Sequence, residues 1–323
     1  VVALYEAKTL WRSWFFRIFS ALALIVIVLL DIVIFAVPFA QWMNRGLPGS
    51  VPYMNLVLLT VAQAVIGAFI APEFLKFDRS LDTTEAVYAR SMTNAEYVIG
   101  KSLGVFAVFV ILNLVVLAIS FVFQFFFTEV PVVPSVYLAY PLLLSVPTIV
   151  YIFGLSFLVM SVVRSQAVTF AILLGYIAAT LFFLGGQMHG IFDYMGLRVP
   201  LMYSDFVGFG GLGDTLLLRG MYLSIGIGCI FTTIMLMHRL IQSRAIWVFS
   251  AVCAVGFIVG GLALGGMYFG SFLNAAQLRT SVRALNEKIV KEPTLTLDAC
   301  SLKVNHHGNG IEAEARLTLT NKT

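Results

Sequence analysis

Among the polar residues inside the long apolar segments of the chain, three have side chains that we single out as able to carry chemistry: Asp31, Gln63 and Asn113. An ionisable group inside a membrane segment is costly to keep there, so Asp31 is by default a hypothesis for a proton or ion site. The other interpretation is a carboxyl that stays neutral or is hydrogen-bonded to a neighbouring helix. Gln63 and Asn113 lie near the middle of the second and third apolar segments, where they would face each other or a transport path.

A second group of polar residues forms the charged stretch 73–101, which separates two apolar segments and contains four basic and five acidic residues. Asp82 precedes Glu85, and Thr93 precedes Glu96, by the spacing of a capping box. This spacing predicts two short helices broken near Ser91 rather than a loose loop. A structured, charged hairpin of this kind is suited to docking a cytosolic protein, although a solvated connector has the same composition.

Two common motifs of catalysis are absent from the sequence. The chain contains no GxxxxGK(S/T) phosphate loop and no HExxH zinc pair. His306 and His307 are adjacent in a predicted turn, which points their rings apart, and the cysteines at 229, 253 and 300 form no CxxC pair. The sequence therefore predicts neither an enzyme nor a metal or cofactor site in this chain.

The composition is that of a polytopic membrane protein, because 60% of the residues are hydrophobic, 11% are charged and the mean hydropathy is +0.96. Soluble domains average roughly 25% charged residues. Apolar runs of about 20 residues, long enough to cross a bilayer as a helix, recur along the chain. They are residues 16–37, 51–71, 102–127, 137–163, 167–186, 216–237 and 245–267. The expected fold class is an all-α polytopic membrane protein.

The basic residues sort by the side of the membrane. If the N-terminus is cytoplasmic, ten Lys and Arg residues fall in cytoplasmic segments and three fall in outer ones, namely Arg45, Arg198 and Arg219. This bias follows the positive-inside rule and places everything after residue 267 outside. The net charge of +4 is explained in this way and indicates no nucleic-acid partner.

An amphipathic helix is predicted at the N-terminus, over residues 3–17. Leu4, Trp11 and Trp14 share one face by helical spacing, while Glu6 and Lys8 fall elsewhere. Tryptophans combined with Lys and Arg are typical of a helix that lies at a membrane interface. A plain extension of the first span is the alternative.

Three later features are expected to shape the helix bundle. Pro141 and Pro147 should kink the fourth span. Gly-xxx-Gly spacings between residues 256 and 270 predict that the seventh span packs closely against another helix. The outer loop 187–213, rich in glycine and aromatic residues, is apolar enough to re-enter the membrane as short helices that line an exit; a surface loop is the alternative.

The composition changes after residue 270. Residues 277–292 predict a charged helical stalk, and residues 294–323 alternate as β-strands do, with a turn at 307–310. Two or three strands are not stable alone in water. The strands therefore predict further chain, or a partner, packed against them.

The order of these elements resembles the permease subunit of type-2 ABC exporters over residues 3–244, with an interfacial helix, two spans, a capped cytoplasmic hairpin and four more spans. After the second span, that family carries a pattern like Gly-Thr-Leu-Glu, then a Pro-x-Ser-like turn, then Gly-Lys. The matching residues here are Thr83, Glu85, Gly100 and Lys101. The glycine, leucine and proline of the pattern are replaced by Asp82, Thr84 and Ser91.

The resemblance implies an elbow helix at 1–18, a six-span permease domain at 19–244, and a coupling helix at about 81–91 that inserts into a separate ATPase subunit. ATP and Mg²⁺ would bind in that partner. The chain would pair with a second permease subunit, identical or different, in the inner (cytoplasmic) membrane. The implied coupling residues are Arg79, Asp82, Thr83, Glu85, Arg90, Ser91, Glu96, Gly100 and Lys101.

The seventh span at 245–270 and the segment 271–323 depart from the six-span pattern, and they predict an appended extracytoplasmic, β-rich domain. Its strands are similar to the first strands of the β-domain that opens aminopeptidase N-like zinc peptidases. Two other functions are compatible with the sequence. One is a membrane-anchored scaffold for a peptidase-like or binding domain, and the other is an ATP-independent carrier that uses Asp31.

Overall fold

The computed structural model describes residues 2–36, 46–80, 93–237, 243–290, 296–307 and 310–320, with the backbone alone for 71–80. Its α-helices are α1 (Val2–Arg12), α2 (Trp14–Asp31), α3 (Ser50–Ser80), α4 (Asn94–Phe127), α5 (Pro134–Val163), α6 (Gln166–Leu184), α7 (Leu212–Leu236) and α8 (Arg244–Ile289). π-helical turns extend α2 (Ile32–Ala36), interrupt α5 (Pro141–Ser145) and end α6 (Thr180–Leu184).

The helices α2 to α8 are each long and apolar enough to cross a membrane, which confirms the seven predicted segments and the class of polytopic helical membrane protein. A helix satisfies its own backbone hydrogen bonds, which an apolar segment in lipid must do. α1, the start of α4 and the C-terminal end of α7 meet at one end of the bundle, called the α1 end. The opposite end carries the connection between α6 and α7 and is called the loop end.

The N-terminal helix is shorter than predicted, and the face that carries Glu6 packs against the bundle. α1 ends at Arg12 because Ser13 adopts an extended conformation (φ −62°, ψ 124°), and α2 begins at the next residue. Leu4 and Trp11, on the predicted apolar face, are 70% and 53% exposed, whereas Glu6 is buried. The predicted apolar face therefore points away from the bundle, and the face that carries Glu6 packs against it.

α7 lies along both α5 and α8, and glycines allow each contact to be close. A Cβ atom added at Gly154 of α5 would collide with the carbonyl oxygen of Gly226, so the two backbones touch. A Cβ atom at Gly261 of α8 would lie 2.7 Å from the Ile225 side chain, and one at position 265 would meet Met221. The Gly-xxx-Gly spacing at 261 and 265 thus packs α8 against α7.

The connection between α6 and α7 is an irregular loop held in the loop end by tyrosine hydroxyls. Tyr222 donates to the Ile191 carbonyl (2.6 Å), and Tyr268 donates to the His189 carbonyl (2.7 Å). Regular structure in this loop consists of one 3₁₀ turn (Met188–Gly190) and a hairpin of β1 (Tyr203–Ser204) and β2 (Gly208–Phe209). Where short re-entrant helices were predicted, the described loop has a single 3₁₀ turn, and tyrosines of α7 and α8 donate to two of its carbonyls.

The last helix continues without a break from its membrane segment into the predicted stalk. α8 contains 46 residues, or about 69 Å at 1.5 Å per residue. An antiparallel hairpin follows, formed by β3 (Thr296–His307) and β4 (Gly310–Thr320), in which His306 pairs with Ile311 and Leu302 with Ala315. The predicted strands are confirmed. Apart from partly buried Thr296, every described residue of these two strands is exposed.

Candidate coupling site and buried polar clusters

The predicted coupling residues fall into two sets. One set lies outside the described residues and consists of the side chain of Arg79, with Asp82, Thr83, Glu85, Arg90 and Ser91. The other set lies near the start of α4 and consists of Glu96, Gly100 and Lys101. α3 leads towards the first set, because it continues as a helix to Ser80, beyond the apolar segment predicted at residues 51–71.

The start of α4 is fixed by the second predicted capping box. The backbone N–H of Glu96 donates to the Thr93 hydroxyl (3.2 Å), and the backbone N–H of Thr93 donates to the Glu96 carboxylate (2.9 Å). Asn94 also donates from its side chain to the carbonyl of Met237, at the C-terminal end of α7 (2.8 Å). The capping prediction is confirmed here, and the charged stretch joins α4 at a defined residue that is also tied to α7.

Two glycines let α1 lie against the start of α4. A Cβ atom at Gly104 would be 2.5 Å from the Ala3 carbonyl oxygen, and a Cβ atom at Gly100 would be 2.9 Å from Val2. Any side chain at position 104 would therefore push α1 away. Gly100, which the family resemblance singled out, thus takes part in helix packing, and its partner four residues on was not recognised from the sequence.

Lys101 completes this contact with a buried ion pair. Its ammonium nitrogen lies 2.9 Å from the Glu6 carboxylate, and the two residues are 2% and 5% exposed. The ammonium also lies 5.1 Å from the centre of the Tyr97 ring, a favourable cation–π arrangement. Lys101 is therefore a residue of α4 that also contacts α1. We call the whole contact the α1–α4 clasp, formed by Val2, Ala3, Glu6, Gly100, Lys101 and Gly104.

Asp31 lies in a buried polar cluster that joins three helices. The Asn55 amide donates to the Asp31 carboxylate (2.8 Å) and to the Ser120 hydroxyl (3.0 Å). All three residues are at most 3% exposed. This arrangement agrees with the interpretation of Asp31 as a carboxyl bonded to a neighbouring helix. Asn55 and Ser120 were missed, although each is a polar residue inside an apolar segment.

Gln63 and Asn113 are both buried, but they do not form a hydrogen bond with each other. The Asn113 amide donates back to the Phe109 carbonyl of its own helix (2.8 Å). Within the described part of the chain, neither polar atom of the Gln63 amide has a hydrogen-bond partner. The structure thus places the two amides inside the helix bundle, and their assignment to a transport path stays a prediction.

Arg219 is the side chain whose position differs most clearly from the prediction. It was assigned to an outer loop, but it lies in α7 and is only 1% exposed. Its guanidinium donates to the carbonyls of Leu143 (2.7 Å), Leu144 (2.5 Å) and Tyr194 (2.5 Å). The arginine thus joins α5, α7 and the loop at one point.

Proline explains why α5 needs an external donor at this point. Pro147 has no N–H, so it cannot pair with the Leu143 carbonyl four residues earlier. The Arg219 Nε–H supplies the missing donor, and its guanidinium also donates to the Thr148 hydroxyl (2.6 Å). The predicted distortion of the fourth span is therefore a π-helical turn, Pro141–Ser145, held open by an arginine. Two features of the sequence could have indicated this contact, namely an arginine at the boundary of one span and a proline inside another.

Tyr194 lies beside this arginine in the loop, outside the membrane segments. Its ring stacks on Tyr176 at a centroid distance of 5.2 Å. Burial raises the pKa of the Tyr194 phenol above its ordinary value, so the group stays neutral. The loop is therefore anchored by aromatic packing as well as by hydrogen bonds, and its core is a fixed part of the bundle.

Within the described ranges, no three His, Cys, Asp or Glu side chains are gathered closely enough to hold a metal ion. His306 and His307 are successive residues of β3, so their rings point to opposite faces of the hairpin. Compared with known proteins, the chain matches no family model and no curated protein.

Proposed function

We propose that this chain is the transmembrane permease subunit of an ATP-driven exporter of the type-2 ABC class, with the α1 end in the cytoplasm. A separate ATPase subunit binds ATP and Mg²⁺ and docks on the charged stretch 73–101. The observation that carries the proposal is the α1–α4 clasp. It joins the interfacial helix to the residues, Gly100 and Lys101, at which the charged stretch enters the bundle.

The contacts around the start of α4 suit the transmission of force. A push on residues 81–92 reaches α4 directly through the capped turn at Thr93. It reaches α1 through the buried pair of Glu6 and Lys101, and α7 through the bond from Asn94 to the Met237 carbonyl. A single docking surface therefore acts on three helices at once, as a motor that tilts the bundle requires.

The permease works with a second permease subunit in the inner membrane, and the loop between α6 and α7 lines the exit. α8 and the β3–β4 hairpin present an extracytoplasmic β-rich domain. The hydrogen bonds of Asp31 favour a structural role for this carboxyl, which supports the exporter over an ATP-independent carrier.

Co-purification tests this function. The full-length protein, extracted in a mild detergent, is expected to bring down an ATPase subunit whose ATP hydrolysis it stimulates. Glu85→Lys should reduce that stimulation severalfold, because it reverses a charge on the docking surface. Glu287→Lys, on the exposed end of α8, is the matched control and should behave like the unaltered chain.

Two results would overturn the proposal. Purification without any ATPase would favour the membrane-anchored scaffold. An ATPase that binds and is stimulated equally by the unaltered chain and by Glu85→Lys would show that the charged stretch is a solvated connector.

A further inference from the structure

The part of α8 that leaves the bundle carries an apolar stripe that no described residue covers. α8 is still joined to the bundle at Ser271, whose hydroxyl donates to Asp214 at the start of α7 (3.0 Å). Beyond this point, every residue from 276 to 290 is exposed. We call the apolar stripe the stalk seam, and its members are Ala275, Leu278, Val282, Leu285 and Ile289.

The spacing of the stalk seam is that of a coiled coil. Its members alternate at intervals of three and four residues, which are the a and d positions of successive heptads. Leu278, Val282, Leu285 and Ile289 are 65%, 57%, 58% and 52% exposed. A single helix of this length is marginally stable in water. Large apolar side chains repeated along such a helix indicate a helical partner.

We propose that the stalk seam pairs with the same seam of a second copy of this chain in a parallel, two-stranded coiled coil. The a positions hold β-branched Val282 and Ile289, and the d positions hold Leu278 and Leu285. This combination favours two strands over three or four. Two identical membrane helices emerge from the bilayer at the same residue and in the same direction, so their seams start in register.

The residues that flank the seam accept this pairing. In a parallel dimer, each g residue faces the e residue that follows in the other copy. These pairs are Asn274 with Arg279 and Ser281 with Asn286, so no like charges are opposed. Two heptads form a short coiled coil, but the membrane segments keep both copies together and raise their effective concentration.

The inference does not rest on the proposed transport function. It requires only that two copies of the chain share a membrane and that α8 is continuous through the stalk. An ATPase that fails to co-purify would therefore leave it intact, and a failed stalk contact would leave the docking of an ATPase intact.

Disulfide cross-linking in native membranes tests the stalk seam. Single cysteines are introduced into the full-length protein from which Cys229, Cys253 and Cys300 have been removed, and the membranes are mildly oxidised. The seam variants Leu278→Cys, Val282→Cys, Leu285→Cys and Ile289→Cys are expected to give covalent dimers on a non-reducing gel. The matched controls Thr280→Cys and Glu287→Cys, on the opposite face, should give several times less.

A second variant tests whether the cross-link depends on the stalk seam or arises from accidental encounters between copies. Val282→Asp places a charge in the seam at a side chain that is 57% exposed in the single copy, and it should abolish the dimer formed through Leu285→Cys. Equal cross-linking at seam and control positions would overturn the proposal. The same conclusion would follow from the absence of seam dimers, or from a Leu285→Cys dimer that survives Val282→Asp.

Discussion

The ion pair between Glu6 and Lys101 is buried where α1 meets α4, so water cannot replace either partner. A charge taken out of water is tolerated only when its partner and its remaining hydrogen bonds are in place. The pair therefore fixes which turn of α1 lies against α4, in addition to any net stability it supplies.

Removal of one charge of this pair should destabilise the protein strongly. Lys101→Ala removes the ammonium group that lies 2.9 Å from the buried Glu6 carboxylate, and the loss of one member of a buried pair costs about 3–5 kcal/mol. Thermal unfolding in detergent measures the effect. The control is Lys8→Ala, which removes a lysine from an exposed position of α1. The charge-swapped double variant Glu6→Lys with Lys101→Glu should recover part of the loss. A Lys101→Ala protein as stable as the Lys8→Ala protein would contradict this account.

A methyl group at Gly104 should also separate α1 from α4. The new Cβ atom would lie 2.5 Å from the Ala3 carbonyl oxygen, and backbone on both sides leaves little room to adjust. Gly256→Ala in α8 is the matched control, because a Cβ atom there meets nothing within 4 Å. The control should gain up to about 1 kcal/mol from helix propensity, whereas Gly104→Ala should lower the melting temperature. Equal melting temperatures would argue against close packing of α1.

Hydrogen bonds between residues that are close in the sequence could be predicted, whereas an ion pair between distant residues could not. The capping box at Thr93 and Glu96 was found correctly, because both of its bonds join residues three positions apart. The partner of Lys101 was not found, because Glu6 is separated from it by most of three helices. Glu6 had also been set on the polar side of an interfacial helix, where it would face solvent. Local bonds leave a sequence signature, and long-range ion pairs do not.

At the scale of elements, Arg219 and Pro147 act together. The proline leaves the Leu143 carbonyl without its helical donor, and the arginine of α7 donates to it. The π-helical turn of α5 is therefore a contact surface shared with α7 and the loop. It is more than a bend within one helix.

A double-mutant cycle tests this dependence. Arg219→Leu should cost about 1–3 kcal/mol for each carbonyl that it leaves unsatisfied. Pro147→Ala restores an N–H that can pair with Leu143, so Arg219→Leu should cost less in that background, by about 0.5–3 kcal/mol. Thermal unfolding provides the measurement, and exposed Arg198→Leu in both backgrounds is the control. Strict additivity of the two changes would show that the arginine does not compensate for the proline.

Element boundaries followed from the sequence wherever composition alone decides them. The apolar segments were found because a helix in lipid needs about 20 apolar residues, and β3 and β4 were found because their side chains alternate. The conformation of the loop between α6 and α7 could not be predicted, because the loop is bound by tyrosine hydroxyls from α7 and α8, such as those of Tyr222 and Tyr268. The sequence of the loop itself gives no indication of hydrogen-bond donors that belong to other helices.

On the scale of the whole molecule, glycine contacts tie α5, α7 and α8 together. The backbones of α5 and α7 touch at Gly154 and Gly226, and Gly261 of α8 meets Ile225. The loop is fixed to the same group of helices through Arg219. Motion imposed at the α1 end would reach the loop end along this group, because glycine-mediated contacts leave little slack between the helices.

The unbroken course of α8 has a mechanical consequence. From Tyr268 to Ile289 the helix is a rod of about 32 Å with one end embedded in the bundle. A tilt of about 10° in the membrane would move the far end of this segment sideways by ~6 Å. A rocking movement of the bundle would therefore be amplified at the far end of α8.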